Sequence, residues 1–189
     1  MKNALILHGA GNNHTGNWFP WLKRELERES YKVWVPDLPN SEKPDRKSWL
    51  ATIFGDKKWK FANESVIVGH SAGATLILRI LELLPHGTVI NKALLVAGPA
   101  DMGNMPQYYP YKESLVSGSF QWNKIQRSCK KFYFFCSDND PYDCGVNQSR
   151  IFQKNLGGGL LFRSGEAHFN LEKGSQYKQF AELLEKILG

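Results

Sequence analysis

Short apolar runs rich in β-branched and aromatic residues alternate along the chain with longer segments of helical periodicity. Strands of a parallel sheet are buried on both faces and are therefore expected as short apolar runs, whereas the covering helices are amphipathic. The pattern predicts strands at residues 4–8, 31–36, 65–69, 92–97, 131–136 and 160–163. It predicts helices at residues 19–28, 46–61, 72–84, 120–127, 145–155 and 175–188.

The alternation of strands and helices implies crossover connections between parallel strands. We therefore expect the α/β class, with three layers: a mainly parallel sheet of about six strands and helices on both faces. Residues 98–118 form the longest stretch without clear periodicity, which is typical of a binding loop or a small lid. A length of 189 residues suits one domain, so residues 1–189 are expected to fold as a single unit.

Composition narrows the class of protein. The hydrophobic fraction is 42% and the charged fraction 22%, which is ordinary for a globular protein in water. The net charge of +6 is spread along the chain without a dense basic stripe, so no nucleic-acid partner is expected. Neither a signal peptide nor an apolar run of membrane-spanning length is found, so we expect no membrane association and a cytoplasmic protein.

The cysteines argue against a disulfide framework and against a zinc site. Cys129, Cys136 and Cys144 are odd in number and lack CxxC spacing. Cys136 lies in an apolar run, where a reduced cysteine behaves as a small buried hydrophobe. We therefore expect no metal and no cofactor.

The strongest local motif is GHSAG at residues 69–73, which follows a predicted strand and opens an apolar helix. A sharp turn between strand and helix forces the central serine into strained backbone geometry and requires small residues two places to either side. The hydroxyl of Ser71 then projects above the sheet at a helix N-terminus, where developing negative charge is favoured. The context predicts that Ser71 is a nucleophile.

A serine nucleophile needs a base, and the partners in this architecture follow in the order serine, acid, histidine. His168 lies after the last predicted strand and before the last helix, where it can approach Ser71 across the carboxyl edge of the sheet. Asp140 and Asp138 follow the strand at 131–136, and Asp101 follows the strand before it. Aspartates are also common in turns, so the residues alone leave the choice of acid among these three open.

Acyl transfer also needs donors for an oxyanion. The N–H of Ala72, directly after the nucleophile, is one candidate, and the N–H of Ala10 in the glycine-rich loop after the first strand is the other. The same loop resembles the beginning of a G-x-G-x-x-G dinucleotide fingerprint. His14 occupies the place of the third glycine, which disfavours a dinucleotide site.

Several motifs together resemble the small α/β-hydrolase-fold serine hydrolases that include retinoblastoma-binding protein 9 and its bacterial relatives. They are LHG at 7–9, WFPWL at 18–22, DLP at 37–39, GHSAG at 69–73, Ser137-x-x-Asp140 and His168-Phe169. The resemblance covers essentially the whole chain. It implies an α/β-hydrolase fold with a minimal cap or none, and a triad of Ser71, Asp140 and His168, which favours Asp140 over the other aspartates. An L-x-C-x-E segment is absent, so binding to the retinoblastoma protein is not implied.

We expect a small-molecule ester as substrate, with amides, peptides and thioesters as further classes that a triad can hydrolyse. Candidate walls of the binding site are Trp18, Phe19, Met102, Met105, Tyr108, Tyr109 and Trp122. The sequence is also compatible with a different class of function, namely a protein-interaction module that keeps the fold but has weak catalytic activity. The sequence identifies no protein partner.

Overall fold

The computed structural model describes residues 2–189. Its centre is a sheet of six parallel strands in the order β2-β1-β3-β4-β5-β6. The strands are β1 (Asn3–Leu7), β2 (Lys32–Trp34), β3 (Ser65–His70), β4 (Ile90–Val96), β5 (Cys129–Cys136) and β6 (Gly159–Phe162). The predicted α/β class and parallel sheet of about six strands are confirmed.

Seven helices connect and cover the strands. They are α1 (Phe19–Arg28), α2 (Arg46–Gly55), α3 (Ala72–Leu83), α4 (Glu113–Val116), α5 (Trp122–Arg127), α6 (Val146–Leu156) and α7 (Ala181–Leu188). The apolar sides of α1 and α7 pack on one face of the sheet. Those of α2, α3, α5 and α6 pack on the other, which gives three layers.

The alternation of side chains along each strand divides the core between the two faces. In β1, Ala4 and Ile6 belong to the cluster under α1 and α7, whereas Leu5 and Leu7 belong to the cluster under α3. Helix α3 is buried along nearly its whole length, which agrees with its almost wholly apolar sequence. A rigid scaffold of this kind holds the loops at the carboxyl ends of the strands in fixed positions.

The register of the strands determines which loops meet. Leu7 lies opposite Gly69, and His70 lies opposite Val96. On the other side of strand β4, Val96 lies opposite Phe135 of β5. Because all strands are parallel, the segments that follow β1, β3, β4, β5 and β6 start from one edge of the sheet.

Two predicted helices are shorter than their periodicity suggested. The helix predicted at 46–61 ends at Gly55, because the side chain of Asp56 accepts hydrogen bonds from the N–H groups of Lys58 and Trp59. A short polar side chain that bonds its own following backbone forms a turn in place of a helix. Trp59 then packs against Trp34, with ring centroids 5.6 Å apart.

The helix predicted at 175–188 is divided into a 3₁₀ turn at Ser175–Lys178 and helix α7. Between them, Gln179 has extended backbone geometry, and Phe180 is not helical, with φ −147° and ψ 76°. Phe180 is 8% exposed and stacks on Phe169, with ring centroids 5.7 Å apart, so tertiary packing interrupts the local helical preference.

Residues 98–118, which lack periodicity, contain a 3₁₀ segment at Pro106–Tyr111 and the single turn of helix α4. This region is therefore a structured loop that leaves the edge of the sheet after β4. Within residues 2–189, no helix has both the length and the apolar composition that crossing a bilayer requires.

Candidate active site

Ser71 lies between β3 and α3 in a strained conformation, with φ 55° and ψ −126°. Positive φ is costly for a residue with a side chain, by about 1–3 kcal/mol, and persists only where the surroundings impose it. Here the N–H of Ser71 donates to the carbonyl oxygen of Val96 at 2.8 Å, and its carbonyl oxygen accepts from Ala74 N–H at 2.9 Å. The sharp turn that the sequence predicts is therefore present.

The glycines on either side of this turn are required by close packing. A Cβ atom on Gly69 would lie 2.5 Å from the carbonyl oxygen of Gly73, and one on Gly73 would lie 2.4 Å from that of His8. Both distances are far below van der Waals contact. The two glycines allow the strand, the turn and the helix to approach one another at the position that presents the serine.

His168 and Asp140 form a buried hydrogen-bonded pair. The Nδ1–H of His168 donates to Asp140 Oδ2 at 2.7 Å, and the side chains are 5% and 1% exposed. The other carboxylate oxygen accepts from the N–H groups of Tyr142 at 2.8 Å and Cys144 at 3.3 Å. Because Nδ1 carries the hydrogen, Nε2 of the imidazole is left as the proton acceptor.

The loop that carries the histidine is held by the loop after β5, residue by residue. Oxygens of four consecutive side chains accept hydrogen bonds from the segment 164–168. They are Ser137 Oγ from Glu166 N–H, Asp138 from Ser164 Oγ and Gly165 N–H, Asn139 Oδ1 from Ala167 N–H, and Asp140 Oδ2 from His168. This ladder fixes the backbone on both sides of the imidazole, where Ala167 and Phe169 also have positive φ.

The two other aspartates that the sequence left open have different partners. Asp138 binds Gly165 N–H at 2.8 Å and the Ser164 hydroxyl at 2.7 Å, and these bonds lower the pKa of its carboxyl group. Asp101 accepts from the side-chain amide of Gln148 at 2.7 Å. The structure therefore brings Asp140 to the histidine, whereas Asp138 positions the loop and Asp101 lies in another network.

The loop after β1 is fixed on both sides of Ala10. His8 is fully buried; its Nδ1–H donates to the carbonyl oxygen of Gly9, and its Nε2 accepts from Leu38 N–H, both at 2.8 Å. Gly11 N–H donates to the carbonyl oxygen of Ser41 at 2.9 Å. Ala72 begins helix α3, where an N–H has no acceptor within the helix.

Ser71, His168, Ala10 and Ala72 all line one cavity of about 300 Å³. The hydrogen bonds found within residues 2–189 include none between the side chains of Ser71 and His168. Catalytic hydrogen bonds are often long before substrate binds and shorten in the complex. Acyl transfer by this arrangement would require the imidazole and the hydroxyl to come within hydrogen-bond distance.

Of the seven predicted wall residues, Tyr108 lines this cavity, whereas Phe19, Met105 and Tyr109 do not. Trp18 is fully buried in the core, and its Nε1–H donates to the carbonyl oxygen of Phe169 at 3.0 Å. Met102 lies outside the cavity wall, and Trp122 packs against Phe120 with centroids 4.8 Å apart. An aromatic block beside a motif indicates packing as readily as binding, and here Trp18 supports the backbone next to His168.

The structure adds wall residues that sequence reasoning missed, namely Tyr111, Lys112, Tyr142, Asn170 and Glu172. The ring of Tyr142 meets that of His168 edge to face at 4.7 Å, and its hydroxyl donates to Glu172. Burial and the neighbouring Glu172 carboxylate raise the pKa of Tyr142. In the sequence these residues could be suspected only from their positions, because they lie in the aperiodic segment 98–118 or within a few residues after Asp140 and His168.

The cluster of Asp140, Cys144 and His168 brings potential metal ligands within 4.8 Å of one another. A thiol must lose its proton to bind a metal. Burial, followed by the charge of Asp140, raises the pKa of the Cys144 thiol well above its usual range. The cluster therefore suits a histidine–carboxylate pair beside a neutral thiol better than a metal centre.

His70, inside the motif, holds the backbone of the predicted base. Its Nε2–H donates to the carbonyl oxygen of His168 at 2.7 Å, and its ring lies 4.7 Å from that of His168. Burial, and then the charge of His168, lower the pKa of His70 from 6.5 to about 3. His70 therefore stays neutral in the folded protein over most of the acid range.

This shift predicts a pH dependence of stability. The unfolded chain protonates His70 as pH falls through 6.5, while the folded protein does not until about 3, so unfolding becomes more favourable in between. From pH 6.5 to about 4.5, His70→Gln, which retains a donor, should lose about 2 kcal/mol less unfolding free energy than the wild type. Urea titrations at several pH values measure the slopes. The exposed His86→Gln is the control, and equal slopes for His70→Gln and wild type would contradict the argument.

Comparison with known proteins agrees with this geometry. A family model described as "Serine hydrolase" matches residues 4–186. The protein YdeN of Bacillus subtilis (strain 168) is 32% identical over 139 residues, which are 74% of this chain and 71% of YdeN. Serine hydrolase RBBP9 of Rattus norvegicus is 25% identical over 181 residues, 95% of this chain and 89% of RBBP9.

Solved structures show the same fold. The crystal structure of the B. subtilis ydeN gene product superposes with a TM-score of 0.90 at 25% identity, covering 100% of this chain and 97% of that one. An esterase from Exiguobacterium antarcticum superposes with a TM-score of 0.71 at 13% identity, covering 100% and 92%. The second likeness concerns the fold alone.

Proposed function

The chain belongs to the serine hydrolase family, and on that premise we propose that it hydrolyses carboxylic esters with small acyl groups through Ser71, His168 and Asp140. The family resemblance and the α/β-hydrolase fold that the sequence predicts are confirmed. The ester substrate, the triad and the acyl-enzyme intermediate are the proposal.

One observation carries the proposal: the buried hydrogen bond from His168 Nδ1–H to Asp140 Oδ2 in the cavity that Ser71 also lines. The carboxylate orients the imidazole, selects the tautomer with a free Nε2 and stabilises the imidazolium that forms during reaction. Ser71, whose backbone is strained, and this histidine–aspartate pair share one cavity, which supports a role of the pair in activating the hydroxyl.

The chemistry follows from these positions. His168 Nε2 takes the proton of Ser71 as Oγ attacks the ester carbonyl carbon, and the N–H groups of Ala10 and Ala72 stabilise the resulting oxyanion. The imidazolium then donates its proton to the leaving alcohol, which leaves an acyl-serine. Water attacks this ester by the same route, and Ser71 and the free acid are regenerated.

Covalent labelling tests the nucleophile directly. A fluorophosphonate probe should add one phosphonyl group to the wild-type protein, because the activated serine displaces fluoride. Intact-mass spectrometry should show no adduct on Ser71→Ala, and peptide mapping should place the wild-type adduct on Ser71. Ser175→Ala, which removes an exposed hydroxyl outside the cavity, is the matched control and should label fully.

A folded, monodisperse wild-type sample that neither labels nor hydrolyses p-nitrophenyl acetate would defeat the ester-hydrolase proposal. That result would favour the alternative in which the fold serves as an interaction module.

A further inference from the structure

Among residues 2–189, three lysine and arginine side chains are almost fully buried, and two of them have oxygen acceptors for their hydrogen-bond donors. Arg79, 3% exposed, donates to Glu82 and to the carbonyl oxygens of Leu115 and Ser117. Lys92, 4% exposed, donates to the carbonyl oxygens of residues 186 and 187 at 3.0 and 2.7 Å, at the end of helix α7. This is the usual condition for a buried cation, because an uncompensated charge is costly away from water.

Lys112 is the exception among these three. It is also 4% exposed, yet its Nζ has no hydrogen-bond partner among residues 2–189. An ammonium group has three donors to satisfy and no acceptor of its own. The molecule therefore leaves a buried cation without the acceptors that the other two have.

The position of Lys112 connects this unpaired ammonium group with the candidate active site, because Lys112 lines the same cavity as Ser71 and His168. Its backbone is fixed: its N–H donates to the Tyr109 carbonyl oxygen, and its own carbonyl accepts from Leu115 and Val116, all at 2.9–3.0 Å. Cys144 lines the same cavity, and the positive charge of Lys112 partly opposes the rise in the pKa of its thiol.

The acidic groups of the cavity region are engaged elsewhere. Asp140 is bound by His168 and by two backbone N–H groups. Glu172 accepts from the Tyr142 hydroxyl and from the side-chain amide of Asn170. Neither carboxylate forms a salt bridge with Lys112 in the described part of the chain, so a carboxylate that enters the cavity can supply the acceptor that Lys112 lacks.

We propose that Lys112 is a specificity-determining residue that binds a carboxylate carried by the ester substrate, so that the preferred substrates are esters with a second, free acid group. This inference rests on the proposed function, because it assigns the substrate class of the same site. A lysine binds a carboxylate as a point charge through charge-assisted hydrogen bonds, which are stronger than neutral ones and gain further in a water-poor cavity.

Matched ester pairs test the preference. In one pair the free carboxylate is on the acyl side: the p-nitrophenyl monoester of adipic acid and the same ester with a primary amide in place of the acid. In the other it is on the leaving group: 4-acetoxybenzoate and 4-acetoxybenzamide. After correction for spontaneous hydrolysis, the wild type should favour the acid over the amide by about ten- to a hundredfold in kcat/KM in at least one pair.

The variants assign that preference to Lys112. Lys112→Met, which keeps length and apolar bulk, should reduce the acid-to-amide ratio to about one or less, and Lys112→Arg should restore part of it. Lys154→Met removes the same charge from an exposed site on α6 and should keep the wild-type ratio. A wild-type ratio near one in both pairs, or an unchanged ratio in Lys112→Met, would overturn the inference.

A binding measurement separates this inference from the proposed function. Adipic acid monoamide should raise the Tm of the wild type in a concentration-dependent manner, whereas the uncharged diamide should not. If the esters are not hydrolysed and the probe does not label Ser71, the proposed function fails, yet stabilisation by the monoamide would still support the carboxylate site. If both esters are hydrolysed equally and the monoamide does not stabilise the protein, only the inference about Lys112 fails.

Discussion

Replacement of His168 by alanine is expected to lower kcat for an activated ester by about four to six orders of magnitude. In the proposed mechanism the imidazole accepts the Ser71 proton, and its Nδ1–H bond to Asp140 at 2.7 Å leaves Nε2 as the accepting nitrogen. Without it, Ser71 remains a neutral hydroxyl, and the residual rate reflects substrate binding and the oxyanion donors alone. Steady-state kinetics with p-nitrophenyl acetate measures the loss.

Removal of a buried group can also destabilise the protein, so the fold must be checked. His168→Gln keeps a side-chain donor toward Asp140 but lacks a basic nitrogen, and it should lose activity to a similar extent. His86→Ala, at an exposed position after helix α3, is the matched control and should retain wild-type kcat. A folded His168→Gln protein, judged by circular dichroism and Tm, that retains more than about a tenth of wild-type kcat would refute the role of His168.

Asp140→Asn should lower kcat by about 10⁴-fold with little change in the fold. The carboxylate accepts from His168, whereas an asparagine can turn its amide N–H toward the ring and favour the tautomer in which Nε2 carries the proton. That tautomer cannot accept the hydroxyl proton of Ser71. The other carboxylate oxygen accepts two backbone N–H bonds, which an asparagine oxygen can retain, so the loop is expected to stay in place.

The other two aspartates provide the comparison. Asp101→Asn leaves the histidine pair untouched and should change kcat by less than about threefold, since Asp101 binds Gln148. Asp138→Asn removes the charge from the carboxylate that binds Ser164 and Gly165. It should therefore lower Tm measurably while kcat changes little. A larger loss of kcat in Asp101→Asn than in Asp140→Asn would mean that the acid has been assigned to the wrong strand.

The order of elements and the serine turn could be predicted because both depend on local sequence. The apolar runs and helical periods predicted six parallel strands, and β3 differs from its prediction by one residue, ending at His70. The glycines of GHSAG predicted the turn, since only residues without a side chain fit where a Cβ would lie 2.4–2.5 Å from a backbone oxygen. Parallel strands with crossovers then bring the loops with Ser71, Asp140 and His168 to one edge.

The residues alone left the acid open among three aspartates, and the family resemblance favoured Asp140; its contact with His168, the cavity wall and the end of α2 required the tertiary structure. Asp138 and Asp140 occupy the same loop, and only the ladder to residues 164–168 shows which carboxylate faces the imidazole. Trp18, predicted as a wall residue, lies in the core, and Lys112, for which the sequence predicted no role, is buried beside the site. Contacts between segments distant along the chain depend on strand register and loop geometry, which local pattern does not encode, and these contacts decide which side chains face the substrate.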